Sequence, residues 1–196
     1  MIGHDLIAWP PALPTRMGSQ RWCRKVLTDS ELTWHSEQSD PMLAAAMLWA
    51  AKEAAYKLAV KKGYPRGLRP RDFELGGIRS SEFGVRSSQG AWSGEFRFQS
   101  EEGYILALVA ESERELERVE VRQQRIEKPT NDERSASVQQ VLKELLAEKW
   151  PEQAGGFRLE KNAVAVPEVW LGSTPWPTDI SLSHDGEWVS AAVVIN

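Results

Sequence analysis

The segment best suited to chemistry is Trp49–Lys57, which places one carboxylate and two lysines among alanines. Glu53 is the acid, and Lys52 and Lys57 are the bases. At about 3.6 residues per turn, Trp49, Glu53 and Lys57 share one helix face, with Lys52 at its edge. A helix this rich in alanine should be largely buried, where charged groups need partners or a ligand that supplies charge. A magnesium ion together with a pyrophosphate group would meet that need.

Start and stop signals place this segment inside one long helix. Ser39 or Asp40 can cap the first amide groups, and Pro41 fits the first helical position. Gly63 is a typical residue for ending a helix. No residue between these signals breaks a helix, so the pattern predicts one helix over about 41–62.

The composition is that of an ordinary folded chain with one or two small cores. The 196 residues are 41% hydrophobic, and 24 basic against 28 acidic side chains give a net charge of -4. This balance argues against general nucleic-acid binding, which favours a strongly basic face. Cys23 is the single cysteine, which excludes an internal disulfide and favours a reducing compartment. Because the sequence has no basic amino-terminal lead and no membrane-length apolar run, the expected location is the cytoplasm.

Apolar patterning predicts the elements of the amino-terminal part. We expect a buried strand over about 1–9, short helical pieces over about 15–35, and an antiparallel meander over about 72–110. The charged segment 111–125 could contain a helix, a strand or both.

The carboxyl-terminal part combines one amphipathic helix with short strands. The polar segment 127–135 is the best linker candidate, and the helix after it ends at Pro151. Short strands are expected at about 157–159, 164–166 and 169–171, before a final hairpin that turns at Asp185-Gly186.

Three segments together resemble motifs of the 4′-phosphopantetheinyl transferase superfamily. Gly3–Leu6 resembles its G-x-D strand motif, and Ser181–Asp185 resembles its serine–histidine motif. Arg21–Leu32 resembles the segment between the first two motifs in the short, holo-acyl-carrier-protein synthase branch. The residues that match the helix motif W-x-x-K-E-A-x-x-K are Trp49, Lys52, Glu53, Ala54 and Lys57.

The order of these motifs leaves two architectures open. In the longer, surfactin-synthetase-activating branch the serine–histidine motif comes before G-x-D, whereas here it comes last. Joining Asn196 to Met1 would restore that order, which suggests a circularly permuted, two-half enzyme that acts as a monomer. The alternative is the short branch, which has the present motif order and forms trimers, enlarged here by an insertion.

We therefore expect an α+β fold of two related halves with a pseudo-two-fold relation. Each half would pack one long helix on a small antiparallel sheet. The expected division is residues 1–126, a linker at 127–135, and residues 136–196. A faint likeness between Gly103–Ala110 and Glu187–Val194 supports two halves, although chance similarity of apolar strands explains it as well.

The resemblance implies Mg²⁺-dependent transfer of 4′-phosphopantetheine from coenzyme A to a serine of an acyl or peptidyl carrier protein, releasing 3′,5′-ADP. Such enzymes serve fatty acid or polyketide biosynthesis. Asp5 and Glu53 would bind the metal, since hard cations prefer oxygen ligands. Glu53 and Lys57 would be the catalytic residues. The residues expected to bind coenzyme A are Lys52, Lys57, Ser183 and His184.

The carrier protein would meet a basic segment near the amino terminus. Carrier proteins of this family are typically acidic along their recognition helix. Positive charge beside an aromatic ring suits such a partner, since charge steers the encounter and the ring docks. The residues expected to bind it are Arg21, Trp22, Arg24 and Lys25.

The sequence departs from the family pattern at three places. Ile7 stands where many two-half members have a second acid, and Val166 replaces the lysine of a G-K-P turn. His4 is an unusual neighbour for Asp5. These departures keep an alternative open, a non-catalytic module of the same fold that binds coenzyme A or a carrier protein. A structural helix–sheet protein whose charged helix faces solvent is the second alternative.

Overall fold

A computed structural model describes residues 1–11, 16–76, 84–87, 93–127 and 129–195. These residues form a mixed α+β structure with small antiparallel sheets. The helices in the described part are α1 (Gln20–Val26), α2 (Asp29–Ser36), α3 (Pro41–Lys61), α4 (Glu113–Leu116) and α5 (Asn131–Lys149), with short 3-10 helices at Pro70–Asp72 and Pro151–Gly156.

In the described part of the chain the strands form three separate sheets, of five, three and three strands. The five-stranded sheet has the order β1-β5-β4-β3-β2, and the others have the orders β10-β11-β6 and β7-β8-β9. All paired strands are antiparallel. The strands are β1 (Ile2–Trp9), β2 (Phe73–Gly76), β3 (Gly84–Ser87), β4 (Ser93–Glu101), β5 (Gly103–Ala110), β6 (Val119–Arg125), β7 (Phe157–Lys161), β8 (Pro167–Leu171), β9 (Thr174–Pro175), β10 (Ile180–Asp185) and β11 (Trp188–Val194).

Helix α3 forms as its sequence predicts. The Asp40 carboxylate accepts the amide hydrogens of Met42 and Leu43, and Pro41 occupies the first turn. After the last turn Gly63 has a φ of 91°, a left-handed conformation that glycine adopts without steric cost. The predicted helix over about 41–62 is confirmed.

Small residues let α3 lie directly against β1. Ala54 and its alanine neighbours are fully buried in this contact. A Cβ atom at Gly3 would lie only 2.0 Å from the Ala54 carbonyl oxygen. The glycine of the G-x-D segment is therefore required by the closeness of strand and helix, which also brings Asp5 near the α3 surface.

Helix α5 covers the second sheet with large aliphatic side chains. The Thr130 hydroxyl caps its first turn, and Glu133 completes the capping box. Strand β6 pairs with β11, so the sheet under α5 includes a strand from before residue 126. The apolar residues of the helix that are buried against this sheet are Val138, Val141, Leu142, Leu145 and Leu146.

Two local expectations need adjustment. Helix α5 begins at Asn131, so the second part of the predicted linker 127–135 is helical. The predicted strand at 164–166 is wrong, because the Asn162 side-chain oxygen accepts the amides of Val164 and Val166 and holds a turn there. Ala165 in this turn has a φ of 53°. The pseudo-two-fold relation between the halves stays a prediction.

Candidate functional site

Strands β1 and β10 lie side by side, and we call their contact line the seam. Along the seam the amides of alternate β1 residues donate to side chains of alternate residues from the β10 segment. The four acceptors, which we call the acceptor row, are Asp179, Ser181, Ser183 and Asp185. The donors are the amides of Ile2, His4, Leu6 and Ala8, at a constant separation of 177 residues. The constant separation means that the two segments run in the same direction.

Two lysines of α3, one turn apart, bind the carbonyl groups along the seam. Lys61 Nζ donates to the carbonyl oxygens of Ile2 and Ile180, each at 2.6 Å, and forms an ion pair with Asp179. Lys57 Nζ donates to the carbonyl oxygens of His4, at 2.9 Å, and Leu182, at 3.2 Å. Each ammonium group therefore joins both strands.

Lys57 also binds the acid of the G-x-D segment. Its Nζ lies 2.8 Å from Asp5 Oδ1. The same carboxylate oxygen accepts the Ser183 hydroxyl at 2.7 Å. The Lys57 side chain is 27% exposed, whereas that of Lys61 is 7% exposed. Lys57 can therefore contact a ligand, and Lys61 is committed to the protein.

Glu53 lies one further turn along the same line of α3. It lines a cavity of about 460 Å³ together with Asp5, Leu6 and Asp185. Burial, and then the negative charge of Asp5, raises the pKa of Glu53 to about 7, although the charge of Lys57 opposes the rise. The side chains of Lys57 and Lys61 place positive charge at the seam, whereas the side chain of Glu53 places a carboxylate there. A carboxylate in that position needs a proton or a bound cation to offset the nearby negative charge.

The donor set fits a magnesium ion that keeps most of its other ligands from substrate and water. Asp5 and Glu53 present carboxylates to the same cavity. Among the described residues there is no group of three or more His, Cys, Asp or Glu side chains arranged to hold a metal. Mg²⁺ is usually bound by one or two carboxylates plus substrate phosphates, so two are sufficient.

A second cavity, of about 360 Å³, opens on the seam from the side of α5. It is lined by four cationic side chains and contains no Asp or Glu among its described lining residues. His184 lines both cavities and its side chain is exposed. We call this the basic cavity and the one at Glu53 the acidic cavity. The cations of the basic cavity are Lys57, Lys61, Arg66 and Lys161.

The structure contradicts the predicted contact of Lys52 with a phosphate of coenzyme A. The Lys52 side chain is 0% exposed and pairs with Glu31, also 0% exposed, at 2.8 Å. Its Nζ also donates to the carbonyl oxygens of Pro70 and Phe73. Burial lowers the pKa of Lys52, and the charge of Glu31 opposes the fall. Lys52 joins α3 to α2 and β2 and reaches neither cavity.

Ser183 is held inside the protein in this structure. It is 5% exposed, and its hydroxyl accepts the Leu6 amide while it donates to Asp5. Its observed contacts orient the Asp5 carboxylate, and the predicted contact with coenzyme A stays a prediction.

His4 turns away from both cavities. It is 0% exposed, and its Nε2 lies 3.1 Å from Ser190 Oγ. Burial, with the charges of Lys57 and Lys61, holds the pKa of His4 well below its usual range. The neutral imidazole therefore contributes to the packing of the seam.

The residues expected to bind a carrier protein lie together on α1. Arg21, Arg24 and Lys25 are exposed. Trp22 is half-buried, with its ring 5.9 Å from that of Trp49 on α3, which also lines the acidic cavity. This surface adjoins the acidic cavity through the two indole rings, and its partner stays a prediction.

Several residues of the site were missed from the sequence. Lys61 continues the four-residue steps from Glu53 and Lys57, so helix periodicity could have found it. Asp179 and Asp185 continue the two-residue period of Ser181 and Ser183, the period of side chains on one face of a strand. The recruitment of Arg66 and Lys161 has no such local signal, because both depend on long-range packing.

A scan against protein-family models matches residues 1–109 to the family described as the 4′-phosphopantetheinyl transferase superfamily. The match covers more than half of the 196 residues and includes Asp5, Glu53 and Lys57. A search of curated proteins finds no match. Among the described residues, no helix combines the length and apolar character needed to cross a membrane.

Proposed function

The chain belongs to the 4′-phosphopantetheinyl transferase superfamily, and on that premise we propose that it transfers 4′-phosphopantetheine from coenzyme A to a serine of an acyl or peptidyl carrier protein. The second product is 3′,5′-ADP. The observation that carries this proposal is the division of charge along the seam. Three carboxylates, of Asp5, Glu53 and Asp185, line one cavity, cations line the next, and His184 borders both. A pyrophosphate fits the boundary between these cavities, because it can bind a metal ion on the acidic side and lysine side chains on the basic side.

Asp5 and Glu53 would hold Mg²⁺ in the acidic cavity. When bound there, the ion would neutralise negative charge on the pyrophosphate and on the attacking oxygen. The Ser183 hydroxyl and the Lys57 ammonium already fix one oxygen of Asp5. That arrangement leaves the other Asp5 oxygen for the ion, which is why we assign Ser183 a positioning role.

Lys57 and His184 would bind the phosphates of coenzyme A. Lys57 carries a positive charge at the boundary of the basic cavity, and His184 is exposed beside it. Ammonium and imidazole N–H groups both donate to phosphate oxygens. We assign Lys57 to the pyrophosphate and His184 to the 3′-phosphate.

The transfer step requires one bond to form and one to break. The serine oxygen bonds to the phosphorus that carries pantetheine, and the bond from that phosphorus to the bridging oxygen breaks. The serine proton passes to the Glu53 carboxylate, which lines the acidic cavity beside Asp5. Lys57 stabilises the negative charge on the departing 3′,5′-ADP.

A single chain supplies both sides of the proposed site. Glu53 and Lys57 come from α3, and His184 comes from the carboxyl-terminal hairpin. The Ile2 amide and the Val194 amide both donate to Asp179, so the first and last described strands meet at one residue. Both facts support the permuted two-half arrangement and a monomer.

Mass spectrometry tests the activity directly. The protein is incubated with coenzyme A, Mg²⁺ and a panel of apo acyl and peptidyl carrier proteins. Transfer adds phosphopantetheine, a gain of about 340 Da on the carrier. The control omits Mg²⁺ and adds EDTA, and should show no gain.

Two other results would contradict the proposal. Binding of coenzyme A by calorimetry with no mass gain on any carrier would favour a non-catalytic binding module. Absence of both binding and transfer would favour a structural protein, in which the charges of α3 serve only the seam.

A further inference from the structure

The turn that lacks its expected lysine lies beside two cations that no part of the proposed site has used. In the segment Ala165-Val166-Pro167, valine stands where the family pattern places a phosphate-binding lysine. Val166 and Pro167 nevertheless line the basic cavity. The cavity therefore keeps its position beside this turn although the turn itself supplies no charge.

Lys161 faces this turn from the neighbouring strand. It is the last residue of β7, and its antiparallel partner on β8 is Pro167. Cross-strand partners have Cβ atoms about 5 Å apart, so a lysine at 161 can reach the space that a side chain from the turn would otherwise fill. Lys161 is exposed, and it lines the basic cavity.

Arg66 reaches the same turn from the other half of the chain. It lies in the loop after α3, and its guanidinium Nη2 donates to the Val164 carbonyl oxygen. This bond uses one of five N–H donors, so most of the guanidinium stays available to a ligand. Neither Arg66 nor Lys161 forms an ion pair with a carboxylate in the part of the chain that the structure describes.

The other two cations of the basic cavity each form an ion pair with an acid of the seam. Lys61 is paired with Asp179, and Lys57 is paired with Asp5. Arg66 and Lys161 thus carry the uncompensated charge of a cavity without lining acids. Neither residue lines the acidic cavity. The anion that suits Arg66 and Lys161 is therefore a phosphate group that does not take part in the bond that breaks.

We propose that Arg66 and Lys161 together bind the 3′-phosphate of coenzyme A and replace the lysine missing at Val166. They share this phosphate with His184, which lines the same cavity. One residue comes from each half, so the ligand would bridge the seam. This inference rests on the proposed function, since it assumes that coenzyme A is the substrate.

Calorimetry with two ligands, coenzyme A and 3′-dephospho-coenzyme A, tests the inference without a carrier protein. The unmodified protein should bind coenzyme A at least about tenfold more tightly, because charge-assisted hydrogen bonds to the 3′-phosphate are lost in the analogue. R66A and K161A should each reduce this preference, and the double variant should keep only the small part that His184 supplies. R66K should keep part of the preference.

Controls remove the same charges elsewhere. Arg114 and Lys143 are exposed and line neither cavity, so R114A and K143A should keep the full preference. Equal weakening of both ligands by R66A and K161A would overturn the inference, because the residues would then contact a part common to the two molecules.

Failure of this inference is distinguishable from failure of the proposed function. If the unmodified protein prefers coenzyme A and the double variant keeps that preference in full, Arg66 and Lys161 are excluded while the transferase proposal stands. If the unmodified protein binds neither ligand, the proposed function fails and this inference fails with it.

Discussion

The acidic and basic cavities lie on the same seam, yet they carry opposite charge. The acidic cavity is lined by Asp5, Glu53 and Asp185 and by no Lys or Arg among its described residues, and the basic cavity has the reverse composition. Unlike charges on one surface usually pair and cancel. Among the residues that the structure describes, only Lys57 and Asp5 do so across the boundary.

The difference in charge between the two cavities assigns different steps of one reaction to each cavity. A cavity of carboxylates concentrates a divalent cation and accepts a proton, and a cavity of cations holds phosphates. Residues on one side should therefore change the rate of the chemical step. Residues on the other should change the affinity for coenzyme A. The following predictions test that separation, from the largest expected effect to the smallest.

Substitution E53Q should abolish most of the activity and leave substrate affinity intact. The amide cannot accept a proton and is a poor magnesium ligand, so kcat should fall by about 10²–10⁴-fold. The Kd for coenzyme A in metal-free buffer should stay unchanged, because Glu53 does not line the basic cavity. Activity assays and calorimetry measure the two quantities. E152Q, at an exposed glutamate, is the matched control. If E53Q lost affinity for coenzyme A to a similar extent, the two cavities would not have separate roles in rate and affinity.

Substitution K52M should act on stability, since Lys52 belongs to neither cavity. It leaves Glu31 buried without its partner, which should cost about 3–5 kcal/mol of unfolding free energy. Urea denaturation measures this loss. The double variant K52M/E31L should be less destabilised than K52M, because it buries no unpaired charge. K143M is the surface control. A stable K52M with selectively weakened coenzyme A binding would restore the original prediction for this residue.

The pH dependence of stability should report the burial of Glu53. Its pKa is about 7 in the folded protein against 4.5 in the unfolded chain. Between these values the folded protein binds more protons, so its unfolding free energy should fall as pH rises from about 5 to 7. Compared with E53Q in EDTA, the native protein should lose up to about 3 kcal/mol across this range.

The comparison with E53Q is needed because His4 changes stability in the opposite direction. The pKa of His4 is lowered on folding, so its contribution is lost as pH falls below about 6.5. Both proteins share this effect, and subtracting one curve from the other removes it. Parallel curves for the two proteins would show that Glu53 does not bind a proton in this range.

Substitution I7E should increase the affinity of the acidic cavity for Mg²⁺. Ile7 lines that cavity and is 8% exposed, so a glutamate there would add a further carboxylate beside Asp5 and Glu53. The Mg²⁺ concentration for half-maximal activity should fall about tenfold, since more anionic ligands increase cation affinity. I7Q has similar volume and no charge and should not show the gain. Melting temperatures of both variants verify that they fold.

Charge reversal on α1 should affect the carrier protein alone. R24E/K25E should raise the KM for the carrier about fivefold, because exposed charges mainly steer association. The KM for coenzyme A should not change, since α1 does not line the basic cavity. The double reversal R114E/K143E is the control. Equal increases in both KM values would refute the assignment of this surface.

The local part of the structure could be predicted from the sequence. Asp40, Pro41 and Gly63 are signals that act within a few residues, and helix α3 begins and ends where they indicate. The final hairpin also forms, but its two-residue turn is Gly186-Glu187, one residue later than predicted, because Asp185 is still paired with Trp188.

The side-chain partners could not be predicted in the same way. Helix periodicity places Lys52 at the edge of the α3 face that carries Glu53 and Lys57, but its partner Glu31 comes from α2. Likewise, no local pattern shows that Arg66 reaches the carbonyl oxygen of Val164, which lies 98 residues later in the chain. These contacts depend on the packing of distant segments, so only the folded structure reveals them.

The acceptor row also protects the protein from association. A sheet edge with free amides can pair with almost any extended chain, because backbone groups are the same in every sequence. On β1 the outward amides are occupied by carboxylate and hydroxyl side chains at every second position of the β10 segment. A foreign strand would have to displace all four at once. The same contacts that build the seam therefore guard a freshly folded chain against aggregation through this edge.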